Sequence, residues 1–195
     1  MNRFHALLAS AALLAAPAVA SAQMATTSST GQGMYTAEAY LAKYTGDVEE
    51  GGFGARVMVG APFKSVLSLF SRPAVGGFVT YTSQDNFSTL HVGGQIDARI
   101  FGSPINGYVD PFVSLGAGLF RTKIDLGNIN LGSGVVGSAS GTSNNFALSP
   151  AIGSNFTIQK GMSIGIRGDI RDVIIFDSGN TANSVVFEGG LSFTF

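Results

Sequence analysis

The chain has 195 residues, 11 Lys+Arg against 12 Asp+Glu, a formal net charge of −1 and no cysteine. The charge balance leaves no basic footprint for a nucleic-acid partner, and the missing thiols exclude disulfides and thiolate metal centres. Only 12% of residues are charged and 27 are glycine, too little charge to cover the surface of a soluble domain.

In chain order, residues 1–22 read as a secretory signal peptide. Arg3 gives a positive start, residues 6–16 form a short alanine-rich apolar run, and Ala20-Ser21-Ala22 offers a small-residue cleavage site before Gln23. The run is too short to span a bilayer comfortably. No cysteine follows it, which argues against a lipid-anchored lipoprotein. Residues 23–33 read as a short linker, and 34–195 as one domain. Nothing in that domain is apolar for long enough to form a membrane helix.

Period two governs most of the domain. A first strand over 34–45 alternates poorly and also fits a helix, but it completes an even count. The second places Phe53, Ala55, Val57, Val59 and Ala61 opposite Gly54, Arg56, Met58 and Gly60. The third sets Val75, Val79 and Tyr81 against Phe78 and Thr80. In the fourth, Leu90, Val92, Ile96 and Ile100 oppose His91, Gln95, Asp97 and Arg99. The fifth opposes Val109, Val113, Leu115 and Leu119 to Asp110, Phe112 and Ser114. The sixth opposes Phe146, Leu148, Ile152 and Phe156 to Ala147, Ser149 and Asn155. The seventh opposes Ile164, Ile166 and Ile170 to Arg167, Asp169 and Arg171, and the eighth closes the chain. Runs of about ten residues suit tilted strands crossing a bilayer. Asp172 falls on the apolar face and "VIIF" after it loses the period, which predicts a β-bulge or arrival at the headgroups.

The connections alternate. One set lies near 47–52, 83–88, 123–145 and 177–184, the other near 63–73, 101–107 and 159–161. With eight strands the C-terminus shares an end with the second set, so the first set is expected to be extracellular, with the longer loops. Segment 63–73 is long and apolar for a periplasmic turn.

Alternation does not say which face is inside. The face opposite the large apolar residues carries Arg56, Asp97, Arg99, Asp110, Arg167, Asp169, Arg171 and Glu188. Every base there is arginine, whose fork pairs carboxylates bidentately. Eight charges of balanced sign make sense in an interior where they pair with one another. An eight-stranded barrel is just wide enough for its own side chains. The expected fold is therefore all-β: an eight-stranded antiparallel up-and-down transmembrane β-barrel with a plugged polar interior.

The signal peptide, the eight amphipathic strands, "PFVSLGAGLFR" (111–121), "GIRGDIRDVI" (165–174) and the closing "GLSFTF" together resemble the small bacterial outer-membrane β-barrels of the outer-membrane protein A/X type. The resemblance covers 34–195. It implies delivery to the bacterial outer membrane after export through the inner membrane, with outer-membrane lipid around the strands. It also implies that the barrel-assembly machinery reads the last strand, here Phe187, Gly189, Leu191, Phe193 and Phe195. The peptidoglycan-binding domain carried by some members is not expected.

Little in the sequence suggests chemistry. The mature region has one histidine, His91, better read as a polar interior residue than as part of a Ser-His-acid site. "GSGVVG" (132–137) matches a dinucleotide motif but lacks its strand and helix context. No cofactor or metal site is expected. The segment 123–145 is the candidate for an extracellular ligand; Ile129, Leu131, Val135 and Val136 there also fit a hairpin that prolongs two strands. The expected function is structural or cell-surface interaction, without an open pore or catalysis. The alternatives are an outer-membrane lipid-modifying enzyme, and a secreted soluble barrel that holds an apolar ligand.

Overall fold

The computed structural model describes residues 35–47, 49–60, 71–84, 86–130, 136–158 and 163–195. The signal peptide at 1–22, the linker at 23–33, most of 63–73, the tip at 131–135 and the turn at 159–161 lie outside the described residues. Eight strands follow in order: β1 (Tyr35–Gly46), β2 (Gly51–Gly60), β3 (Ser71–Gln84), β4 (Phe87–Arg99), β5 (Val109–Asn130), β6 (Val136–Thr157), β7 (Ile164–Asp177) and β8 (Asn180–Thr194). Each pairs antiparallel with its chain neighbours, and β8 returns to β1 to close the barrel. The closing seam runs from Thr36↔Thr194 to Gly46↔Ser184 without a break in register. A closed barrel leaves no strand edge along its wall.

β1 is a full strand despite its weak alternation. Glu38, Tyr40, Ala42 and Tyr44 point inward, while Leu41 is 73% exposed on the outside. The pattern is blurred because apolar residues occupy both faces.

β7 departs from expectation in a similar way. No bulge follows Asp172: the β7–β8 register is unbroken from Ile164↔Phe193 to Asp177↔Asn180. Between Ala151↔Arg171 and Leu148↔Ile174 the β6 side skips Ser149 and Pro150 without a change of register, as expected where proline has no N–H to donate. The period is kept, with Val173 and Ile175 buried and Phe176 exposed. It looks lost in sequence because the lumen itself becomes apolar there. Tyr40, Ala42, Tyr44, Phe120, Ala147, Val173, Ile175 and Val186 form that cluster.

The connections also differ from expectation. At the end expected to be extracellular, β3–β4 and β7–β8 are tight turns; Ser178-Gly179 joins β7 to β8, with Gly179 at φ +95. Segment 123–145 is mostly strand, as its reading as a hairpin that prolongs two strands expects. β5 pairs with β4 only as far as Ile124, and with β6 as far as Asn130↔Val136. β6 pairs with β7 only from Phe146 onward. The outer parts of β5 and β6 thus rise above the wall as a two-stranded ribbon. The longer connections, including 100–108, lie at the opposite end.

Candidate functional site in the barrel lumen

Pleating sends alternate side chains into the lumen, and there the charged residues meet. Arg56 on β2 reaches three carboxylates on three other strands. Its Nη1 lies 2.9 Å from Glu38 Oε2 and 3.5 Å from Asp169 Oδ2, and its Nη2 donates to Glu188 Oε2. Arg167 Nη1 donates to Asp97 Oδ2 at 2.6 Å and to Glu38 Oε1 at 3.2 Å, and its Nε to Asp169 Oδ2 at 3.1 Å. Arg171 lies 3.5 Å from Glu188 and 3.7 Å from Asp169. It also donates to Gln95 Oε1 at 2.9 Å, while Gln95 Nε2 donates to Asp97 Oδ1 at 2.6 Å. Arg56, Arg171 and Asp97 are each at most 2% exposed.

The arginines also stack on rings. Arg167 sits 3.8 Å over Phe112, Arg56 4.8 Å over Tyr40 and Arg171 5.6 Å over Phe78, a favourable use of the flat guanidinium. Glycines make the room. A Cβ on Gly54 would come 2.4 Å from the Tyr40 ring, and one on Gly116 would come 2.3 Å from Ser149 Oγ.

Six of the eight residues expected to interact therefore meet in one cluster: Arg56, Asp97, Arg167, Asp169, Arg171 and Glu188. Arg99 and Asp110 stand apart, 3.6 Å from each other near the strand ends. With its amide oxygen turned toward Arg99, Asn155 accepts from Nη1 at 2.6 Å and Nη2 at 2.9 Å. Glu38 was missed, because β1 alternates too weakly to assign its face. The signal was present in the register: Glu38 lies directly opposite Arg56.

The packing leaves a cavity of about 10 Å³ beside the network, lined by Glu38, Tyr40, Arg56, Arg167, Asp169 and Glu188 among others. That is room for about one water. His91 is 1% exposed, with the rings of Phe78 and Phe120 at 4.7 and 5.5 Å. It therefore does not face the outer surface. Among the described residues no group of three or more His, Cys, Asp or Glu is placed to hold a metal ion. Most of "GSGVVG" lies outside the described residues.

The outer surface is the reverse of the lumen. Leu115, Ile152, Ile170 and Phe187 are exposed along the middle of the wall. Aromatics gather toward both rims: Tyr35, Tyr108 and Phe156 at one, Phe146 and Phe176, 6.0 Å apart, at the other. A soluble barrel with an apolar interior would need these faces exchanged.

An apolar exterior, aromatic rims and a self-paired ionic lumen define the class of small outer-membrane-type β-barrels. The comparison with solved structures agrees on the fold. Neisserial surface protein A is 16% identical with a TM-score of 0.54, over 85% of this chain and 98% of that one. The outer membrane enzyme PagL is 12% identical with a TM-score of 0.51, over 82% and 99%. The N-terminal β-barrel domain of Pseudomonas aeruginosa OprF is 13% identical with a TM-score of 0.50, over 84% and 100%. No family model and no curated protein sequence matches the chain. One of these neighbours is an enzyme, so the fold assigns neither catalysis nor its lack.

Proposed function

We propose that the protein is an integral barrel of the bacterial outer membrane with a structural or cell-surface interaction role, closed to solutes and not catalytic. The observation that carries this reading is the inside-out distribution of side chains. Large apolar residues form a belt around the wall, and the ionic cluster fills the lumen from side to side. Such a belt in water would be an aggregation hazard; in lipid it is the required solvent contact. The paired side chains are almost fully buried, so the lumen behaves as a plug.

The even strand count returns both described strand termini, Tyr35 and Phe195, to the end opposite the β5–β6 ribbon. That end faces the periplasm in this reading, and the β5–β6 ribbon faces outward. Phe187, Gly189, Leu191, Phe193 and Phe195 all face outward on the last strand, which supports its reading by the barrel-assembly machinery. The ribbon is the interaction element. Ser140, Gly141, Thr142, Ser143 and Asn144 are exposed there, beyond the last β7 partner of β6. A polar edge that carries neither lysine nor proline is open to pairing with an extracellular ligand.

His91 offers no support for the enzymatic alternative, because it is buried on the inward face of β4. Fractionation and gel mobility test the proposal together. The protein is expected in the outer-membrane fraction and should migrate faster unheated than boiled. Recovery from the periplasm or medium, with one mobility in both states, would sink it.

A further inference from the structure

At the ribbon end the lumen closes on a carboxylate that has no cationic partner among the described residues. Glu50 stands just before β2 and is 3% exposed. One carboxylate oxygen accepts from Thr82 Oγ1, and the Thr82 hydroxyl lies 2.6 Å from that of Thr89. The other oxygen, Oε1, is buried without a hydrogen-bond partner. The backbone is tied as well: Tyr44 N donates to Glu50 O at 2.7 Å.

Among the described residues, the elements packed around it supply no counter-charge. β3 contributes Thr82 and β4 Thr89, both uncharged and buried. Deeper on the same inward faces come Tyr44 on β1 and His91 on β4, and below them the ionic cluster. The charged neighbours in sequence, Lys43, Asp47 and Glu49, are exposed on the outside. An ionised carboxylate in this position gives up its hydration and gains only one hydroxyl. A neutral carboxyl fits better: its O–H can donate to Thr82, which passes the bond to Thr89.

We propose that Glu50 is a proton-operated latch over the outer mouth of the lumen. Neutral, it pins the start of β2 against Thr82 and Tyr44. Ionised, it withdraws into solvent and uncovers the two threonines and the aromatic layer below. The site is covered but shallow, at the rim of the barrel, so the movement opens only the end of the β1–β2 ladder, where Tyr44 N donates to Glu50 O.

Burial pushes the Glu50 carboxyl from its ordinary 4.5 up to about 7. The closed form thus holds the proton more tightly than the open one. Closure is strongest in acid and weakens as pH rises from the ordinary value to the raised one.

Amide exchange at Tyr44, measured by NMR on the full barrel in micelles and corrected for intrinsic rates, reads the latch directly. Its protection should fall roughly 30-fold between about pH 5.5 and pH 8.5. Glu50→Gln, neutral at every pH, should keep high protection throughout, while Glu49→Gln at the exposed neighbour should follow the native curve. Flat protection in the native protein would overturn the latch. So would a Glu50→Gln curve that still falls with pH.

Discussion

Arg56 shows how much of this barrel depends on single side chains. It bridges Glu38 on β1, Asp169 on β7 and Glu188 on β8 from its own place on β2. Removing one member of a buried ion pair leaves its partners uncompensated, which costs about 3–5 kcal/mol. Arg56→Met is therefore expected to lower the unfolding free energy in urea by about that amount, with folded barrel retained at low denaturant. A midpoint within error of the native one would show that the network contributes nothing to stability. Most of these residues were legible in sequence, since Arg56, Asp97, Arg167, Asp169, Arg171 and Glu188 stand at period-two positions in clearly alternating strands. Glu38 and Glu50 were not. The first lies in a strand with apolar residues on both faces, and the second is buried with a tertiary bond to Thr82, itself bonded to Thr89, that no local pattern records.

Strands were legible where inside and outside differ in polarity. β4 and β5 alternate cleanly because Gln95, Asp97 and Ser114 line the lumen opposite Ile96 and Leu115. β1 and the outer half of β7 blur because Tyr44, Val173, Ile175 and Val186 make the lumen apolar at that height. Of the two readings at Asp172, a bulge or arrival at the headgroups, the continuous β7–β8 ladder excludes the bulge. The β5–β6 ribbon bears out the hairpin reading of 123–145, since its pairing continues to Asn130↔Val136. It adds nothing to barrel closure, because β5 leaves β4 after Ile124 and β6 meets β7 only from Phe146. Replacing residues 126–139 by Asn-Gly between the paired Asp125 and Ser140 supplies a type I′ hairpin turn. The shortened protein is expected to keep the native urea midpoint and the heat-dependent gel shift. Loss of that shift would make the ribbon part of the wall's stability.

At the scale of the molecule the two faces of one sheet have exchanged their usual solvents. The lumen contains ionic pairs, stacked rings and space for about one water. The exterior shows leucine, isoleucine and phenylalanine. The central claim is that this exterior meets lipid. The chain has no tryptophan, so a single introduced tryptophan reports its own surroundings. Leu115→Trp and Ile152→Trp lie on the exposed belt, and Phe112→Trp lies in the buried lumen. In vesicles brominated in mid-chain, fluorescence from the two belt positions is predicted to be strongly quenched and insensitive to aqueous iodide. Emission from position 112 is predicted to be affected less by either. Belt tryptophans quenched by iodide and indifferent to brominated lipid would contradict the account.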